Sequence, residues 1–356
     1  MIDSEILPQA CAISRCTSSI AAAPDLAALV ASAAEVRQVV LVLHNEEAGP
    51  ALVTRALSRL NDAIVTKVLA LLALNFRLPP TRWCWLGLGS AGRLEQTFVS
   101  DQDNGLMFSA SDDGEARQLR ALFLPFAHAA NRALAECGFP LCDGDVMAGN
   151  PHWCLSLSEW RESFATWVRT PEPEALLNAT IFFDLRPLAG DAELVAALRR
   201  ALSELTRGNE IFLRMMTVNA LAASPPLGRL RDFVTEAESG GAIDLKKFGS
   251  RIFVDAARIL ALGAGIDETG TASRLRRVAR EGFMAPSDAE AAVHAFHALQ
   301  GIRLGAQSGD GLDKHPPVNQ IDPDRLNEFD RRVLLESLRQ ARKLQQKLKT
   351  QFHIET

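Results

Sequence analysis

The sequence predicts an α+β fold, with an amino-terminal helical region, a small mixed sheet and a carboxyl-terminal helical bundle. Three observations carry that expectation. Apolar residues recur at three- and four-residue steps from Asp25 to Leu78, the middle third alternates helical and strand-like runs, and nothing beyond Gly190 reads as strand. The expected divisions are residues 1–80, 81–190 and 191–356.

Residues 1–22 are small, mixed and weakly periodic, which reads as a loose end. Beyond Asp25, helical spacing runs through Leu26, Leu29, Val30, Val36, Val40, Val65, Val68 and Leu72, until Leu78-Pro79-Pro80 stops the last helix. Trp83 to Leu88 is a short apolar run, the mark of a buried strand, and Gly89-Ser90 opens a helix. A second strand is expected over Ser100–Phe108. Ala116–Cys137 reads as helix, Gly138-Phe139-Pro140 breaks it, and Leu141–Met147 reads as a short strand or edge segment. Ser156-x-x-Glu159 is a capping box, and the helix it opens carries Trp160, Phe164 and Trp167 on one stripe, at core spacing. Thr170-Pro171-Glu172-Pro173 ends that helix. A short helical stretch begins at Glu174, and Thr180–Arg186 reads as a strand with Asp184 and Arg186 on one face. Helical patterns then cover 192–205, 211–222, 250–262, 271–280, 287–306 and 323–349, with Asp322 capping the last and Pro323 at its first position. Pro225-Pro226, Gly240-Gly241 and Ser308–Pro317 are the loops.

The chain has 356 residues, 47% of them hydrophobic, enough for one large or two ordinary cores. A formal charge of −5 and a pI near 5.9 give no basic footprint for nucleic acid. The most apolar stretch, Val65 to Leu74, is too short to span a membrane, and Asp3 and Glu5 disagree with a secretory signal. The six cysteines include no C-x-x-C pair. A cytoplasmic protein with reduced thiols and no membrane or nucleic-acid partner is expected. Cys137, Cys142, His152 and Cys154 match no common zinc spacing.

The chemistry concentrates in Leu88-Gly89-Ser90-Ala91-Gly92-Arg93-Leu94-Glu95 and Ser100-Asp101-Gln102-Asp103-Asn104. Glycine lets a phosphate approach the backbone at a helix start, so Gly89, Ser90 and Gly92 are placed to cradle phosphate oxygens, and Arg93 adds charge one turn on. On an extended chain Asp101 and Asp103 point the same way. Two carboxylates side by side repel unless a cation sits between them, and oxygen ligands suit Mg²⁺. Gly87-x-Gly89-x-x-Gly92 also satisfies the dinucleotide fingerprint, but the acids arrive about ten residues on, too soon for the roughly twenty that motif needs. Glu95 lies near the first helical turn, where it complements the positive end and can orient Arg93.

Gly89-Ser90-x-Gly92-Arg93-x-Glu95-Gln96-Thr97 with Ser100-Asp101-Gln102-Asp103-Asn104 resembles a family of nucleotidyltransferases of bacterial signal-transduction proteins. Members are often fused to CBS or cyclic-nucleotide-binding domains, and the family is similar in turn to the nucleotidyltransferase domain of PII uridylyltransferase. The likeness continues through Gly138–Cys142, Val146–Pro151, Ser156–Trp160, Ile181–Arg186, Asp244–Lys246 and Asn319–Pro323. It implies a polymerase-β-like middle domain that moves a nucleoside monophosphate from a nucleoside triphosphate to an acceptor, such as a PII-like regulator, with the carboxyl-terminal bundle binding acceptor or partner. Asp101 and Asp103 would hold the metals, Gly89 and Ser90 the β- and γ-phosphates, and Arg93 the leaving-group charge. Members of the wider fold add a third carboxylate; Asp184 is the first choice, with Asp145 and Asp143 next. No histidine is followed by aspartate, so the phosphohydrolase signature that accompanies PII uridylyltransferase is absent. A nucleotide-sensing module with weak turnover is the alternative reading.

Overall fold

A computed structural model describes residues 3–46, 48–228, 233–234, 241–308 and 319–354. The fold class is α+β, as the patterning predicts. The chain divides into two compact units: Met1–Phe164 with Ile181–Ala201, and Ala165–Thr180 with Leu202–Thr356.

The first unit begins with three long helices, α1 (Asp3–Ala22), α2 (Leu26–Asn45) and α3 (Pro50–Ala73). The loose end expected over residues 1–22 is therefore helical where it is described. Cys16 and Ile20 are buried, and the Ser19 and Ser32 hydroxyls share a 2.9 Å hydrogen bond, so α1 is held by packing that a weak apolar period does not reveal. Asp25 caps α2 by accepting from the Ala28 amide. Against expectation, α2 is long and apolar enough to cross a membrane, by length and composition alone. The reading from sequence missed it because Glu35 and Arg37 break the run. Leu29, Val36, Val40 and Leu43 are buried in this unit, with α2 packed against α1 and α3.

The sheet has the strand order β3-β2-β1-β4. β1 (Trp83–Gly87) runs antiparallel to both β2 (Asn104–Phe108) and β4 (Arg186–Gly190), and β2 runs parallel to β3 (Cys154–Ser156). Alternation sends successive side chains to opposite faces. Phe108 stacks on Phe123 of α5 (Asp113–Glu136), with ring centroids 5.4 Å apart, whereas Gly105 lies against Trp160 of α6 (Leu157–Arg169). Trp160 is fully buried, stacks on Trp153 and donates from its indole to the Leu106 carbonyl at 3.3 Å. The aromatic stripe is core, as its spacing predicts. The capping box is reciprocal: the Ser156 amide donates to Glu159 and the Glu159 amide to the Ser156 hydroxyl.

Three strand expectations change. β2 starts at Asn104 rather than Ser100, leaving Asp101 and Asp103 on the extended loop before it. Residues 141–147 form a turn instead of a strand, although the Gln102 and Asn104 amides donate to the Pro140 and Val146 carbonyls along it. Thr180–Arg186 is not a strand: α7 (Pro173–Phe182) continues through Phe182, and β4 begins only at Arg186. The bulk of Phe182 and Phe183 signalled a strand, but burial against Trp153, Trp160 and Phe164 explains both residues within a helix and its exit.

The second unit is helical, containing α9 (Glu210–Leu221), α10 (Arg251–Ala264), α11 (Thr271–Arg280), α12 (Pro286–Ser308) and α13 (Glu328–Gln351); α8 (Ala192–Thr206) straddles the division. Phe212, Phe253, Phe296, Leu299 and Leu338 form its core. Beyond Gly190, two short strands contradict the all-helical expectation: β5 (Ile243–Asp244) pairs antiparallel with β6 (Gln320–Ile321), too short a ladder to leave a period. Asp322 caps a 3₁₀ turn, Pro323–Arg325, and Asn327 caps α13 itself. The loop expected at Ser308–Pro317 lies almost wholly outside the described residues, as does Gly240.

The burial of the thiols sets a test. Burial pushes the Cys84 and Cys154 thiols up to about 12, so they stay neutral, whereas Cys11 is exposed. In a thiol-labelling time course at pH 8 in native buffer, Cys11 modifies first, and Cys84 and Cys154 modify only after denaturation. Fast native labelling of Cys84 or Cys154, read by peptide mass spectrometry, contradicts the packing described.

Candidate active site

The glycine bend and the acid pair meet within the first unit. Gly89 opens a five-residue helix, α4 (Gly89–Arg93), with φ +51°, a conformation that L side chains adopt with strain. A Cβ on Gly89 would sit 2.9 Å from Asp103 Oδ2, so this carboxylate lies directly against the bend. The Leu88 amide donates to the Asp103 carbonyl at 3.0 Å, tying the two segments by backbone as well. The first turn of a helix leaves its amides without intrahelical acceptors, and no described group accepts from those of Gly89 or Ser90.

Why the acids face this bend follows from their neighbours. Along the extended loop Asp101 is exposed, Gln102 buried, Asp103 half-buried and Asn104 buried. The two amide side chains are anchored inside. Gln102 Nε2 donates to the Asn131 and Phe139 carbonyls at 2.9 and 3.0 Å, and Asn131 Nδ2 donates to both Gln102 Oε1 and Asn104 Oδ1. Asn104 Oδ1 also accepts from the Ala148 amide, and Asn131 Oδ1 from the Gly149 amide. Buried amides cost about 1–3 kcal/mol each when left unpaired, so the network fixes which face is in. The alternating acids take the other. Asp101 and Asp103 line one cleft with Trp85, Ala91, Gln96 and Asp62.

Two arginines brace α4. Arg93 donates from Nε to Glu95 at 2.8 Å and from Nη1 to Asp184 at 2.7 Å. The orienting role expected of Glu95 thus has a bond behind it, but the partner on the far side is Asp184, which has no exposed surface. The sequence puts Asp184 and Arg186 on one strand face. Arg186 instead donates to Asp62 of α3 and to the Ala91 carbonyl, each at 2.9 Å, clamping the middle of α4. Gly92 is needed for contact, since a Cβ there would meet the Asp184 carbonyl oxygen at 1.7 Å.

Asp143 and Asp145 are exposed on the turn beside the acid loop. The Cys142 thiol of that turn donates to Asp103 Oδ1 at 3.6 Å, and burial with the Asp103 charge raises its pKa, which keeps the proton on sulfur. Asp145 accepts from the Asn150 amide side chain at 2.9 Å. The residues sequence reasoning missed are Gln102, Asn104, Asn131 and Asp62. The first two alternate with the acids in plain sight; Asn131 and Asp62 lie on helices with no local signal. Burial raises the Asp62 pKa more than the Arg186 contacts lower it.

Asp184 and Asp101 should separate cleanly by stability. Asp184→Ala strands Arg93 without its buried partner and is expected to lower the unfolding free energy by about 3–5 kcal/mol, whereas exposed Asp101→Asn should shift it by about 0.5 kcal/mol or less. Urea titrations of the two variants check this. Equal stabilities would contradict the buried-clamp role of Asp184.

Comparison with known proteins gives the family. A search of curated proteins finds no match. Two family models do match: residues 34–174 fit the one described as "Putative nucleotidyltransferase DUF294", which contains the bend and both acids, and residues 210–352 fit "Putative nucleotidyltransferase substrate binding domain". Between them they cover most of the chain. The protein is therefore a member of this nucleotidyltransferase family, with a nucleotidyltransferase domain followed by the family's substrate-binding domain.

Proposed function

We propose that the chain is a Mg²⁺-dependent nucleotidyltransferase that moves a nucleoside monophosphate from a nucleoside triphosphate to a protein acceptor, a regulator of the PII kind. The contact that carries this reading is Asp103 Oδ2 directly against Gly89, because it puts a carboxylate beside a helix start whose first two amides have no described acceptor. Asp101 and Asp103 would hold the metal; a pair of neighbouring oxygen donors on a wet cleft fits a hard cation. When bound, Mg²⁺ supplies charge neutralisation on the phosphates. The Gly89 and Ser90 amides, which have no described acceptor, would donate to the β- and γ-phosphate oxygens.

Arg93 and Asp184 act at one remove in this proposal. Two carboxylates already neutralise Arg93, so its work is to hold α4 rather than to receive leaving-group charge. Asp184 is enclosed, which supports a bracing role over contact with an acceptor hydroxyl. The acceptor-side carboxylate is assigned instead to the turn carrying Asp143 and Asp145, which is exposed and adjoins Asp103. The helical second unit, matched to the substrate-binding family model, would take the acceptor. A nucleoside triphosphate substrate is consistent with a cytoplasmic setting. The burial of Asp184 favours the alternative of a nucleotide sensor with little turnover, and the same assay separates the two.

The assay incubates the purified protein with each α-³²P-labelled nucleoside triphosphate, Mg²⁺ and cell extract, then resolves labelled proteins. One nucleotide should label one acceptor, and Asp101→Asn and Asp103→Asn should each cut labelling by about a hundredfold or more. Labelling that survives both substitutions contradicts the site. Saturable nucleotide binding with no labelled acceptor supports the sensor.

A further inference from the structure

The first unit holds a second cavity, of about 260 Å³, that shares only Asn61 and Phe139 with the acid-lined cleft. Its walls are α2, α3, the Thr97–Ser100 turn and the end of α5, and its lining is mainly apolar, including Val30, Leu57, Ile64 and Phe139. Two charges of opposite sign face it. Arg37 comes from α2 and Glu136 from the last turn of α5, and neither has an ion-pair or hydrogen-bond partner among the described residues, including each other. The turn that walls the cavity is rigidly made: the Gln96 amide donates to Ser58, Asn61 donates to Gln96, and Ser100 accepts from the Thr97 amide. Asp101 follows immediately.

We propose that this cavity binds a free α-amino acid with an apolar side chain, its carboxylate on Arg37, its ammonium on Glu136 and its side chain against Leu57, Ile64 and Phe139. The volume lies just below the roughly 300–1,000 Å³ of drug-sized sites, which sets a metabolite-sized occupant. Charge selects the class. A simple carboxylate meets Arg37 but is repelled by Glu136, and a simple amine meets the reverse. A neutral apolar molecule gains nothing from either charge, which water solvates at these solvent-accessible positions. Only a zwitterion satisfies the two together, by charge-assisted hydrogen bonds worth more than neutral ones. Nothing in this proposal requires nucleotidyl transfer.

Isothermal titration calorimetry on the full chain tests it, with L-leucine, L-isoleucine, L-valine, L-methionine and L-phenylalanine as probes. Their single-charge counterparts, 4-methylpentanoate and isoamylamine, serve as controls. At least one amino acid should bind saturably at millimolar concentration or below, and both controls should bind at least about tenfold more weakly. Arg37→Ala and Glu136→Ala, at partly exposed and exposed positions, should keep the wild-type circular dichroism and each weaken binding at least about tenfold. The proposal is overturned if no amino acid binds, if 4-methylpentanoate or isoamylamine binds as well as leucine, or if binding survives both charge substitutions.

Discussion

The candidate site depends on a constraint that is not itself chemical: the side chains of Gln102 and Asn104 must be inside. Both are fully bonded amides in a protein interior, where an unmade hydrogen bond costs more than a made one contributes. In extended chain, fixing two alternate residues inward fixes the residues between them outward. Asp101 and Asp103 owe their shared cleft to this alternation. Like charges on one face repel, which a cation between them would relieve.

A second set of contacts fixes the bend against which the acids work. Five residues of helix have little rigidity of their own, and α4 obtains it from outside through two arginines. Arg93 ties its end to Glu95 and the enclosed Asp184, while Arg186 ties its middle to Asp62 on α3 and to the Ala91 carbonyl. Those partners come from three separate parts of the chain. Helix α3 and the α7–β4 exit are thereby structural parts of the candidate site, not appendages to it.

Much of this was legible in the residues. β1, the glycine bend, the capping box at Ser156 and the aromatic core stripe announce themselves by local rules, because strand alternation, turn chemistry and helix capping act over a few positions. The resemblance carried by the bend and the acids led to the family that the models then matched. What failed was non-local. Helix α1 reads as a frayed end because its order comes from packing on α2 and α3. Asp184 was placed on a strand because Ile181-Phe182-Phe183 has strand composition, but tertiary burial in the Trp153–Trp160 cluster gives those residues a helical exit instead. Arg186 shares a predicted strand face with Asp184, but the arginine that Asp184 meets in space is Arg93. Asn131 and Asp62 carry no signal short of the fold itself.

The most direct measurement is a crystal structure of the protein soaked with Mn²⁺ and a nucleoside triphosphate whose α–β bridge is a methylene group, with data collected at the manganese absorption edge. The account predicts an anomalous peak on the carboxylates of Asp101 and Asp103 and triphosphate oxygens within hydrogen-bond reach of the Gly89 and Ser90 amides. A nucleotide bound elsewhere, or manganese that bypasses both aspartates, would contradict it.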